Sequence, residues 1–240
     1  MNVTKRELIY TGKARSIYST DDPDIMILHN RDDLTAGNAA KKGGFAGKGS
    51  INNKISGTIF RHLEKMGIAT HYINDFSENE VLVKRVDIIP LEVVVRNAAA
   101  GSFSAKYGVS PGTPLKMPLV EFFYKNDELG DPMLSASHIE VLDLATSAQV
   151  EEITKIAKNV NKILTEFFDK IDLFLIDFKI ELGICKEGTI LLADEISPDT
   201  CRLWDKKTNK SLDKDVFRKD LGDVSEAYKE VLRRMENGRI

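Results

Sequence analysis

From Ile176 to Gly183, charged and apolar residues take turns: Asp177, Lys179 and Glu181 alternate with Phe178, Ile180 and Leu182. A period of two is that of a strand with one charged and one apolar face. The Glu187-Gly188 pair that follows suits a two-residue hairpin loop, with Thr189–Glu195 as the return strand. Pairing 186 with 189 and counting back sets Glu181 directly opposite Asp194. Opposed side chains have Cβ atoms roughly 5 Å apart, so two carboxylates there repel unless a cation or proton lies between them. Mg²⁺ would resolve the repulsion, because it takes one or two carboxylates and completes its shell with phosphates and water, as an ATP site requires. An exposed strand with solvated charges is the competing reading, and the alternation alone does not exclude it.

The rest of the pattern is α+β. Glu7–Tyr18, Ile25–His29, Glu80–Val86 and Val86–Val95 read as strands, the last running into the small-residue turn Arg96–Ser102. Ile55, Ile59, Leu63 and Met66 lie at helical spacing, which predicts a helix over Asn52–Met66 with Gly67 closing it. Ile153, Ile156, Val160, Ile163, Leu164 and Phe167 form the stripe of an amphipathic helix over Gln149–Lys170, and Val216–Arg234 reads as a closing helix. With 240 residues and 42% hydrophobic content the chain can bury a substantial core, and its only boundary signal is a short hinge near Lys84–Pro90. No apolar run approaches the roughly 20 residues of a membrane helix, and none has signal-peptide architecture. Two cysteines sixteen positions apart, Cys185 and Cys201, suggest neither a zinc site nor a disulfide framework, so a reducing cytoplasm is expected. A net charge of −3 argues against nucleic acid as a partner, and any cationic site must be local.

Local cations are present. Thr11-Gly12-Lys13-Ala14-Arg15 sets a glycine turn beside two cations, a cover for nucleotide phosphates. Gly43–Ser50 is not a P-loop, since Lys42 occupies the first glycine position and Gly49 follows Lys48; a flexible loop over the site is expected instead. Arg96 and Ser102 flank a turn whose N–H groups suit a phosphate, and Arg202 lies in the turn-rich Ser197–Arg202. His29, His62, His71 and His138 share no spacing and are read as structural.

Taken together, Ile89-Pro90-Leu91-Glu92-Val93-Val94-Val95-Arg96 through Gly101-Ser102, and Ile176-Asp177-Phe178-Lys179-Ile180-Glu181-Leu182-Gly183, resemble the two signature stretches of the SAICAR synthetases. Tyr10–Ser19, Gly47-Lys48-Gly49 to Asn52-Asn53-Lys54, Lys125-Asn126-Asp127, Asp131-Pro132-Met133 and Asp194–Asp199 to Leu203-Trp204-Asp205 follow the family in its order, so the resemblance spans essentially the whole chain. It implies a two-lobed, kinase-like α+β fold related to ATP-grasp enzymes, with an antiparallel N-terminal sheet over residues 1–86 covering ATP and residues 87–240 carrying the metal and ribonucleotide sites. By the same resemblance Lys13 and Arg15 lie over the phosphates, the backbone near Lys84 and Val86 meets adenine, and Lys125 joins the nucleotide site. Glu181 and Asp194 hold Mg²⁺. Arg96, Ser102 and Arg202 bind the ribonucleotide phosphate, with Asp177 and Lys179 near its imidazole. Two departures stand out: Leu182 where the second signature commonly has Phe, which alters packing, and Asn38 where one branch has Asp, which removes a carboxylate there. A stand-alone, bacterial-type form is expected, and a homodimer is left open.

The implied activity joins L-aspartate to a carboxylated aminoimidazole ribonucleotide at the expense of ATP, in purine synthesis. A carboxylate and an amine do not condense in water without activation, so the γ-phosphoryl group first passes to the imidazole carboxylate and the amine then displaces phosphate. Lys13, Arg15 and Lys179 neutralise the charge on the transferring group, and Asp199 is a candidate to assist the amine. A small-metabolite kinase is one alternative, weakened by the absence of HRD and DFG strings. A nucleotide-binding module without turnover is another, and it would not need the whole set of metal and phosphate ligands.

Overall fold

The computed structural model of the chain describes residues 3–36 and 40–238; Asn38 lies outside them. Strands β1 (Lys5–Thr11), β2 (Arg15–Thr20) and β3 (Ile25–Asn30) come first, then a two-stranded ribbon of β4 (Asp33–Ala36) and β5 (Lys41–Gly44). Helix α1 (Lys48–Lys65) follows, and β6 (Tyr72–Ser77) and β7 (Glu80–Lys84) complete an antiparallel sheet in the order β1-β2-β3-β7-β6. Only Arg85 separates β7 from β8 (Val86–Ala98), which belongs to the second sheet. The chain continues through α2 (Gly101–Tyr107), β9 (Pro114–Tyr124), β10 (Met133–Leu134), α3 (Ala136–Val141), α4 (Ser147–Asp169), β11 (Leu173–Cys185), β12 (Ile190–Ala193), β13 (Cys201–Asp205), α5 (Asp215–Arg218) and α6 (Val224–Asn237). The second sheet is antiparallel in the order β10-β9-β8-β11-β12, and β13 pairs with the first half of β11 on the edge whose second half takes β12. Strand β11 is therefore flanked along its length, and its charged residues meet neighbours from three other strands. Among the described residues no helix is long and apolar enough to cross a membrane.

Helix α4 carries the expected stripe. Ile153, Ala157, Val160, Leu164 and Phe167 are fully buried against the second sheet, and Thr146 and Gln149 form a reciprocal capping box at its start. Ile153, Val160 and Leu164 each contribute about 1.5–3 kcal/mol by leaving water, and truncating Phe167 to Ala would cost about 3–5 kcal/mol. Helix α1 sends Ile55, Ile59 and Leu63 into the same core. It ends where Gly67, at φ 87°, lets Ile68 N–H return to the Leu63 carbonyl at 3.0 Å. Leu182 is buried in that core too.

Four expectations need correction. The glycine stretch 43–50 is not a flexible loop: Gly43 and Gly44 end β5, and α1 begins at Lys48, four residues before Asn52. The Asp32 carboxylate accepts the N–H groups of Gly47 and Gly49 at 3.0 and 2.9 Å, and a Cβ on Gly49 would lie 2.2 Å from the Asn30 carbonyl oxygen, so this helix start is pressed against β3. The hairpin after β11 has three loop residues, because Cys185 pairs with Thr189 and Gly188 adopts φ 80°. The register therefore moves by one and sets Glu181 opposite Ala193, not Asp194. The closing helix is two helices: Asp220 and Gly222 have positive φ, and Asp223 caps α6 by accepting from Ser225 and Glu226 N–H. Arg202 lies on strand β13, not in the turn that precedes it.

Candidate active site

Strand β11 builds the site by its pairing. Asp177 has Arg96 of β8 opposite on one side and Arg202 of β13 on the other. Both guanidinium groups donate to its carboxylate, Arg96 at 2.7 Å and Arg202 at 2.9 and 3.1 Å. Glu121 of β9 accepts from Arg96 Nε at 2.6 Å, Ser102 Oγ accepts from Arg96 Nη2 at 3.2 Å, and Asp215 accepts from Arg202 Nε at 3.1 Å. Each planar fork is thus held from more than one side. A Cβ on Gly101, whose φ is 53°, would lie 2.6 Å from Arg202 Nη2, so the turn admits the guanidinium only because glycine is there.

Two residues along the same face, Lys179 is the centre of a second cluster. Its ammonium donates to Glu92 at 2.7 Å and Glu181 at 3.1 Å and lies 3.7 Å from Asp194. Glu92 stands opposite Glu181 across β8 and β11, so the pair of facing carboxylates exists, with a different partner from the one the sequence suggested. Asp194 joins them from just beyond β12, where φ 63° turns the chain out of the strand. Lys125 donates to Glu181 at 2.9 Å, and Arg15 forms ion pairs with Asp194 and Glu195. Burial would raise the Glu181 carboxyl, but Lys179 and Lys125 outweigh it and bring its pKa down to about 2. Lys179 goes the other way: burial opposes its charge, yet Glu181 and Glu92 hold the proton more firmly than on a free lysine.

These clusters face one cavity of about 660 Å³, within the range of small-molecule sites. Met26, Leu28, Val83, Val86 and Ile88 give it an apolar slot at the seam of the two sheets, beside Lys84. The seam is stitched by the segment before β6: His71 N–H donates to the Leu192 carbonyl at 2.9 Å, and the His71 carbonyl accepts from Lys84 N–H at 2.7 Å. Burial pushes the His71 pKa down to about 3, so its ring is neutral. Lys13 lines the same cavity from the β1–β2 turn and pairs with Asp127 at 2.8 Å.

Asp199 also reaches the cavity, but its side chain is only 5% exposed and serves as a hub. It pairs with Lys48 at 2.6 Å and accepts from Tyr228 at 2.7 Å and Asn52 at 2.8 Å. Burial would raise its pKa, and Lys48 and Lys214 reverse that to a net lowering. Sequence reasoning missed Glu92, Lys48, Lys214 and Arg218. Glu92 sits inside a quoted signature and is found only through β8–β11 register; Lys48 reads as a loop lysine until α1 buries it.

Two antiparallel sheets enclosing a cleft with a paired-arginine cradle at one end and an acid–lysine cluster beside it define an α+β protein built to hold polyanionic small molecules. Over residues 8–235 the sequence matches the SAICAR synthetase family, and the chain belongs to it. It is 52% identical over 235 residues to the phosphoribosylaminoimidazole-succinocarboxamide synthase of Bacillus subtilis, with 98% of each chain covered. With that of Caldanaerobacter subterraneus it shares 54% over 232 residues, covering 97% of this chain and 98% of the relative. The crystal structure of the synthase from Ehrlichia chaffeensis superposes with a TM-score of 0.94 at 46% identity, covering 96% and 98% of the two chains. A SAICAR synthetase in complex with ADP gives 0.92 at 48% identity, covering 95% and 97%.

Proposed function

We propose that this chain is an ATP-dependent carbon–nitrogen ligase that joins L-aspartate to 5-amino-1-(5-phosphoribosyl)imidazole-4-carboxylate, giving the succinocarboxamide, ADP and phosphate, in the purine pathway of the cytoplasm. One observation carries the reading: the Asp177-bridged arginines and the Lys179 cluster lie on one face of β11, in one cavity. Asp177 to Glu181 spans roughly 13 Å of strand, so a phosphorylated substrate anchored at one end presents its far end to the other.

In this reading Arg96, Ser102 and Arg202 take the ribonucleotide phosphate. Asp177 and Lys179 orient the imidazole and its carboxylate. Lys13, Arg15 and Lys125 hold the phosphates of ATP, whose adenine occupies the slot by Lys84 and Val86. Residues up to Val86 form the covering lobe, and the remainder carries the metal and the ribonucleotide. Glu181 and Asp194 would hold Mg²⁺. The residues fit it: both are buried oxygen donors, Glu181 is ionised, and Lys179 already bridges the two, marking a point that attracts a cation. When bound, the ion would neutralise charge on the phosphates. Lys179 steadies the imidazole carboxylate while its oxygen attacks the γ-phosphorus and the bond to ADP breaks. The amine of aspartate then attacks the acyl carbon, the bond to phosphate breaks, and the amine proton leaves through Asp199 or directly to solvent.

ADP release by the purified protein with Mg-ATP and the carboxylated ribonucleotide, with and without L-aspartate, tests this. ADP formation that requires both substrates, with one succinocarboxamide per ADP, is the expected result. ADP release indifferent to aspartate would assign a kinase activity, and none at all a binding module.

A further inference from the structure

The ligase reading leaves L-aspartate without a recognition site, and the cavity has an end that the phosphate and ATP assignments do not use. Lys214 and Arg218 line it from α5 and the residue before it. Separated by four positions in continuous helical backbone, their side chains share a face, with Cβ atoms about 5–6 Å apart. That spacing suits two carboxylates on a four-carbon chain.

The charge there is unbalanced. Lys214 lies 3.8 Å from Asp199, which is already engaged by Lys48 at 2.6 Å. Arg218 shares Asp215 with Arg202 and Lys219, at 2.7, 3.1 and 2.8 Å respectively. Arg202 has Asp177 as well, but Lys48, Lys214, Arg218 and Lys219 share only Asp199 and Asp215 among their ion pairs. Burial chiefly, with the neighbouring Arg218 and Lys48, lowers the Lys214 pKa against the pull of Asp199 and Glu195. Asp199 faces the same space, with Asn52 behind it donating to its carboxylate at 2.8 Å. An amine in the cavity could donate to Asp199.

We infer that Lys214 and Arg218 form the subsite for the two carboxylates of L-aspartate, with the amine directed toward Asp199. The inference rests on the ligase reading and on side chains, since α5 is too short to contribute a dipole of its own.

The test compares wild type with Lys214→Met, Arg218→Met and the charge-keeping Lys214→Arg and Arg218→Lys, each checked for an unchanged melting temperature. Hydroxylamine serves as a second acceptor: it has no carboxylates, and it captures an acyl phosphate as the hydroxamate by forming the C–N bond and expelling phosphate. Each Met variant should raise the KM for L-aspartate about 10–100-fold, as loss of a charge-assisted contact does, while hydroxamate formation and the KM for ATP and ribonucleotide stay within about threefold of wild type. The charge-keeping variants should recover part of the aspartate affinity. A rise in ribonucleotide KM instead would give the two cations to the phosphate and overturn the inference, as would an unchanged aspartate KM. Failure of the wild type to form either ADP or hydroxamate would sink the ligase reading itself, a separate outcome.

Discussion

Arg96 and Lys179 both bind carboxylates on one face of the same sheet, in opposite ways. Arg96 is almost wholly buried, its side chain 3% exposed, and three acceptors fix its fork; Lys179 is 29% exposed and offers one ammonium to three acids. A planar fork held from several sides keeps one orientation whatever the ligand does, whereas a flexible ammonium can exchange partners. The first arrangement suits a phosphate that stays intact through the reaction, the second a group whose charge changes as phosphoryl passes. The same strand alternation produces both, and the neighbouring strands decide which: β8 and β13 bring arginines to Asp177, while β8 and the end of β12 bring acids to Lys179 and Glu181.

The sharpest break in this contrast should come from the exchangeable side. If Glu181 holds Mg²⁺ as proposed, Glu181→Gln removes a metal ligand, and turnover should fall by about 10²–10³-fold or more. Stability should fall less than on the rigid side, because Lys179 keeps Glu92 and Asp194 although Lys125 loses its partner. Normal kcat in this variant would remove Glu181 from the metal and phosphoryl assignment.

On the rigid side the same kind of change should cost stability as well. Arg96→Ala leaves Glu121 and Asp177 buried, with only Arg202 still on Asp177. The ribonucleotide KM should rise about 10–100-fold, and urea unfolding should report a loss of up to about 3–5 kcal/mol. A stable variant with wild-type affinity would refute the phosphate role. Gly101→Ala should act less severely: the added Cβ meets Arg202 Nη2 at 2.6 Å in a backbone of φ 53°. That conformation alone costs about 1–2 kcal/mol, and the displaced fork should raise the ribonucleotide KM while the KM for ATP stays put.

The same contrast explains what could be read from the sequence. The alternation over Asp177–Glu181 and the stripe of α4 are local patterns, and both elements lie where expected. The partner of Glu181 depended on loop length, and one residue in the Lys186–Gly188 turn moved the register from Asp194 to Ala193. Strand β9 escaped notice because Pro118 interrupts it; β10 pairs only with Phe122 and Phe123, so the proline sits where that edge is uncovered. Strand β13 was hidden behind the turn residues Ser197–Thr200. Lys214 and Arg218 became candidates only when tertiary packing brought α5 to the cavity, and Lys48 only through its ion pair with Asp199, which no local pattern reports.

The last contrast concerns a carboxylate behind the arginine cradle that has backbone donors where its neighbour Asp215 has cations. Asp213 is fully buried and accepts Leu203 N–H at 2.8 Å and Asp215 N–H at 2.7 Å, tying β13 to α5. Burial pushes its pKa up to about 6, and the nearby Asp215 charge adds to the rise. A carboxyl whose folded pKa exceeds its unfolded value of about 3.8 binds its proton more tightly in the native state, so its contribution to stability is complete below that value and is lost as pH rises to about 6. The whole span is at most about 3 kcal/mol, from the 1.36 kcal/mol that one pKa unit represents. Asp213→Asn cannot ionise, so its melting temperature should fall less than that of wild type between pH 4 and 6, even if one lost N–H acceptor lowers it throughout. Parallel profiles for the two proteins across that window would mean that Asp213 ionises in the fold as easily as in the unfolded chain, and that backbone donors stabilise the charge as well as the cations do for Asp215.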